Sequence, residues 1–100
     1  MLIKGKSART ILDGIVKYRT QKGMRIIQRD AQRVEFSMSV PKSNPPAEAR
    51  MLYSISPAPD GLRLSAQVFQ VIKQGGKTQT SDITSSLRDK LDEELVTYTR

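Results

Sequence analysis

In residues 33–40, 50–56 and 62–72 the apolar side chains recur at every second position, whereas at either end of the chain they recur every third or fourth. That change of period is what most restricts the fold, because period 2 belongs to a half-buried strand and period 3.6 to an amphipathic helix. In the first strand-like run Val34, Phe36, Met38 and Val40 alternate with Arg33, Glu35, Ser37 and Ser39. In the next, Met51, Tyr53 and Ile55 share a face. In the longest, Leu62, Leu64, Ala66 and Val68 point one way and Phe69 and Val71 the other. A shorter strand is expected over 24–29, followed by a turn at Asp30-Ala31-Gln32.

The flanking segments read as helices. After Ser7, a good N-cap, the residues Ala8, Ile11, Leu12, Ile15 and Val16 make one stripe, which Gly23 ends near residue 22. Gly14 inside this helix suggests close approach of another backbone. Towards the end of the chain Ile83, Leu87, Leu91 and Leu95 stand four apart behind Ser81 or Asp82 as cap, with Arg88–Asp92 and Lys90–Glu94 expected on the outer faces. The segment 41–49, with its adjacent prolines, reads as loop. Pro57-Ala58-Pro59-Asp60-Gly61 reads as a hairpin connection, and Gln74-Gly75-Gly76-Lys77 as the start of a link to the second helix. The expected architecture is therefore α+β: a two-layer sandwich in the order α-β-β-β-β-α, with a four-stranded antiparallel meander and both helices on one face. Residues 1–6 are expected to be a flexible N-terminus and 7–100 a single domain.

Composition removes several chemistries. With no Cys and no His, thiolate catalysis, imidazole acid–base catalysis and ordinary zinc sites are excluded. Gly76-Lys77-Thr78 has the ending of a phosphate-binding loop, but Val71 stands where that motif needs its first glycine. Asp89, Asp92 and Glu93 cluster on the second helix beside Arg88 and Lys90, as a solvated face does. No enzyme, cofactor or metal is expected. No apolar run approaches the roughly 20 residues that a helical span requires.

The charge is uneven. The formal net charge is +7, and residues 1–33 account for all of it, with nine cations against two anions; the rest of the chain balances. A localised positive field favours an anionic partner. If the apolar face of the sheet is covered by helices, the alternate positions look outward. That outward set is Arg25, Ile27, Arg29, Arg33, Glu35, Arg50, Leu52, Arg63, Phe69 and Val71. Arginine suits planar, bidentate contact with carboxylate or phosphate, so Arg25, Arg29, Arg33, Arg50, Leu52, Arg63 and Phe69 form the candidate partner-binding set. The expected partner is a protein or an anionic surface. Nucleic acid, bound through the basic first third, is the alternative, although Phe69 alone offers little base stacking.

A helix ending in Lys22-Gly23-Met24-Arg25-Ile26-Ile27 that runs into a strand, a hairpin through Asp60-Gly61-Leu62-Arg63-Leu64, and Ser81-Asp82-Ile83-Thr84 opening a Leu-rich helix together resemble the small α+β domains of bacterial envelope lipoproteins. The resemblance is one of layout and transfers no site residues. It implies a non-catalytic domain that binds a partner or supports an assembly. It implies the periplasm or cell envelope if a signal has been removed; otherwise the cytoplasm is expected.

Overall fold

In the computed structural model, which describes residues 1–100, the elements run β1 (Leu2–Ile3), α1 (Ala8–Gln21), β2 (Arg25–Arg29), β3 (Arg33–Ser39), β4 (Ala47–Ala58), β5 (Gly61–Gln74) and β6 (Lys77–Asp82). A single 3-10 turn, Thr84–Leu87, then leads into α2 (Arg88–Thr97). All strands pair antiparallel, in the order β1-β5-β4-β3-β2, with β6 also on β5. The fold is thus α+β with an antiparallel sheet, but the sheet has six strands, not four. β4 and β5 pair along their whole length from Ala58↔Gly61 to Ala47↔Ile72, and this long hairpin draws the molecule out to 47 Å.

The two added strands share the outer edge of β5. β1 lies along its beginning, Leu2 opposite Arg63, and β6 along its end, Phe69 opposite Asp82 through Gln74 opposite Lys77. β6 (KTQTSD) is exposed at every position and carries no apolar residue, so no periodicity announces it. What makes it a strand is the two-residue turn Gly75-Gly76, both at positive φ (59° and 76°), the backbone shape that fits the twist of a tight hairpin. Where β6 ends, Thr84 takes over the edge. Its Oγ1 accepts from Val68 N–H at 2.9 Å, and the Asp82 carboxylate accepts from Thr84 N–H at 2.9 Å. The expected cap at Ser81 or Asp82 does not form: Ile83 stands ahead of the 3-10 turn and Leu87 ahead of α2, neither with a side-chain cap hydrogen bond, and Asp82 instead ties the end of β6 to Thr84.

The helix at the start agrees closely with its sequence. Ser7 Oγ accepts from Thr10 N–H at 3.1 Å, and Gly23 follows the last turn at φ 87°. Ile11, Leu12 and Ile15 of α1 and Leu91, Leu95 and Tyr98 at the end of the chain enter one apolar cluster. In it they meet Val34, Phe36, Met51, Tyr53, Ile55, Leu64, Ala66 and Val68, alternate positions of the three central strands. Phe36 and Tyr53 meet edge to face, centroids 5.8 Å apart at 84°, an arrangement that contributes about 1 kcal/mol beyond area burial.

Two glycines behave oppositely. At Gly14 an added methyl would meet nothing nearer than the Tyr98 ring at 3.9 Å, so the expected backbone approach is absent. At Gly61, φ is 152° and a methyl would lie 2.4 Å from the Ile3 carbonyl oxygen of β1. Gly14→Ala should therefore stabilise by about 0.5–1 kcal/mol through helix propensity. Gly61→Ala should destabilise by about 2 kcal/mol and detach β1. Thermal melts of the two variants, with amide exchange at Ile3, check both signs.

Candidate functional site

Register decides what the sheet shows on the side away from the apolar cluster. Directly opposed residues of paired antiparallel strands point to the same face. One row therefore reads Arg25–Ser37–Arg50–Phe69–Asp82 across β2, β3, β4, β5 and β6. Beside it runs Gln28–Glu35–Leu52–Gln67, then Arg33–Ser54–Ser65, and at the far end Ser56–Arg63–Leu2. None of these residues belongs to the apolar cluster. Arg50, Leu52 and Phe69, on the central strands, are half-buried, whereas Arg25, Arg33 and Arg63 are exposed. The strands thus place six of the seven expected residues on one face, with Arg63 at the end remote from the row of Arg25, Arg50 and Phe69.

The seventh, Arg29, is not among them. The pairing of β2 with β3 shifts between Ile26 and Gln28, a β-bulge at Ile27. One extra residue reverses the parity of everything after it. Arg29 consequently stands opposite Val34, on the core side, and its guanidinium reaches Asp13 of α1 at 2.6 Å. Val71 is also not free surface: it is 1% exposed.

The remaining arginines differ in what they can offer. Arg33 lies 3.4 Å from Asp30, which also accepts from the amides of Gln32 and Arg33 and so shapes the β2–β3 turn. Arg50 is held by Glu48 at 2.7 Å. Glu48 accepts in turn from Ser37 Oγ at 2.7 Å, and that hydrogen bond, ahead of Arg50, keeps its carboxyl below the usual range. Arg25 and Arg63 enter no ion pair, so their charge is uncommitted. On α2, Asp92 faces Arg88 at 3.8 Å, and no group of three potential metal ligands converges anywhere in the chain.

On the core side lies a polar cluster. The Glu94 carboxylate accepts from Tyr53 Oη at 2.7 Å, from Tyr98 Oη at 2.6 Å, and from the Arg19 guanidinium, whose Nε also donates to Tyr53 Oη at 2.8 Å. Glu94 is 8% exposed, so its expected pairing with Lys90 on the outer face does not form. The signal was present in the spacing: Leu91, Glu94, Leu95 and Tyr98 stand at i, i+3, i+4 and i+7, and Arg19 lies one turn beyond Ile15. Each polar residue sits on its helix's apolar stripe.

No family model, curated protein or solved structure matches this chain. Function has to be read from its own side chains. No helix is long and apolar enough to cross a membrane.

The clasp around Glu94 is a structural device. Burial opposes the charge of Arg19, but the hydrogen bond to Glu94 and the surrounding attraction outweigh it and raise its pKa. Burial first, and then the Glu94 charge and hydrogen bonds, push both Tyr53 and Tyr98 far above the ordinary phenol value of 10.0. A folded-state pKa above the unfolded one makes the contribution complete below pH 10 and draws it down as pH rises beyond that. In alkali, Tyr53 and Tyr98 should therefore ionise only together with unfolding. Phenolate absorbance and far-UV circular dichroism, followed across the same titration, should show two of the three tyrosines appearing with the loss of structure.

Proposed function

We propose that this chain is a non-catalytic binding module whose two helices share the core side of the sheet and whose opposite face meets an anionic partner. Support for the helix placement comes from the apolar cluster, in which residues of α1 and α2 join one parity of β3, β4 and β5. The observation that carries the binding reading is the row Arg25–Ser37–Arg50–Phe69, with Arg25 and Arg63 free of any carboxylate at opposite corners of the face. Leu52 and Phe69, half-buried on the central strands, supply apolar contact between the arginines. Such a mixture of guanidinium groups and a few apolar side chains suits an acidic protein surface better than a naked phosphate backbone. On the layout resemblance, the setting we propose is the bacterial cell envelope.

A second reading has its own support. Lys4, Arg9, Lys17 and Lys22 are exposed on and around α1, within the third of the chain that holds the whole net charge. That surface would serve a nucleic acid. Titration of isotope-labelled protein with polyglutamate, and separately with single- and double-stranded oligonucleotides at two salt concentrations, separates the two. Our reading expects polyglutamate to shift the amides around Arg25, Arg63 and Phe69. It also expects Arg25→Glu/Arg63→Glu to abolish the effect with the fold unchanged. Oligonucleotide binding that shifts α1 amides and weakens steeply with salt would replace it, as would unaltered polyglutamate binding by the double variant.

A further inference from the structure

The helix layer leaves a gap on the core side of the sheet. Between the C-terminal end of α1 and the N-terminal end of α2 lies a groove of about 260 Å3. Met24, Met38 and Met51 line it together with Leu87 and Leu91, and its only charged lining residues are Arg19 and Lys90. Part of this wall belongs to the core itself: Met24, Met51 and Leu91 are all under 8% exposed, while Met38 is 40% exposed at the opening. The apolar strip continues past the groove, because Val40 lies opposite Ala47 and Ala47 opposite Ile72 on the same parity of the sheet.

We infer that this groove is a binding site for a single-chain aliphatic carboxylate. Three features select that chemistry. The volume is below the roughly 300–1,000 Å3 typical of sites for drug-sized ligands, which favours a thin chain over a ring system. Methionine is unbranched and polarisable, so three of them can adapt to a flexible chain without a fixed shape. No acidic residue lines the groove, and of its two cations Arg19 is paired with Glu94 behind the wall, which leaves Lys90 as the uncommitted positive charge. Lys90 is exposed and enters no ion pair. Arg19, fixed by Tyr53 and Glu94, uses Nε and one terminal nitrogen there and keeps further N–H groups unspent. An alkyl chain lies among the methionines with its carboxylate at Lys90. This site is on the other side of the sheet from the arginine row, so it stands or falls separately from the proposed module.

The chain carries its own reporters, since three of its four methionines line the groove and the fourth, Met1, pairs with Leu64 away from it. Methyl-labelled methionine in the full chain, titrated with decanoate below its micelle concentration, should give saturable shifts of Met24, Met38 and Met51 and none of Met1. Decanol should bind about threefold more weakly, and Lys90→Gln should remove that difference while leaving the thermal melt unchanged, the scale expected of one solvent-exposed charge. Equal affinity for decanol and decanoate would overturn the inference. So would shifts of Met1 in step with the others, which mark indiscriminate adsorption, or an absence of saturable shifts. A synthetic acidic amphipathic helix that moves the three methyls at concentrations where decanoate does not would reassign the groove to a protein partner.

Discussion

The Glu94 carboxylate lies between α1, β4 and α2, accepting from a guanidinium and two phenols, and no placement of the helices that separates those donors leaves it satisfied. A buried carboxylate without partners is costly enough to break a domain of this size, whereas the same group fully hydrogen-bonded adds little net stability but fixes geometry. The apolar stripes explain why the helices pack at all. The clasp explains why they pack at one depth, with Arg19 brought to the wall of the groove rather than left in solvent. Every buried side-chain polar atom in the protein has a hydrogen-bond partner, so this arrangement leaves no polar group stranded.

How much of this the sequence discloses depends on whether burial imposes a period. Val34, Phe36, Tyr53, Leu64 and Val68 alternate because one face of the sheet is dry, and both helices show their stripes for the same reason. β6 shows nothing of the kind. As an edge strand exposed at all six positions it has no dry face, and only its glycine turn betrays it. β1 is two residues long, too short for any pattern. The turn-forming prolines similarly mask the first three residues of β4, from Ala47.

The candidate face was legible apart from the burial of Val71 and one defect in register. Counting by twos from Arg25 predicts Arg29 on the outside, and the bulge at Ile27 reverses it. Nothing in the string RIIQR signals the extra residue, since isoleucine at either parity finds 39–41% exposure on this edge. A bulge on an edge strand also obstructs further strand addition, as the short polar β6 does at the opposite side. The ends of the sheet are thereby blunted, and the surfaces we propose for partners lie on its faces, the arginine row on one side and the methionine groove on the other. Glu94 was misplaced for the converse reason: a charged residue is read as outward by default, and only its position on the stripe between Leu91 and Tyr98 contradicts that.

The most direct test of the clasp is a double-mutant cycle across Arg19 and Glu94, with stability measured by denaturant unfolding of the wild type, Arg19→Met, Glu94→Leu and the pair together. Each single change leaves an opposing charge or phenol in low dielectric and should cost about 3 kcal/mol. The double variant should recover much of that loss, giving a coupling of about 2 kcal/mol or more. Additive losses within about 0.5 kcal/mol would show that the two residues act independently and that packing alone sets the helices in place.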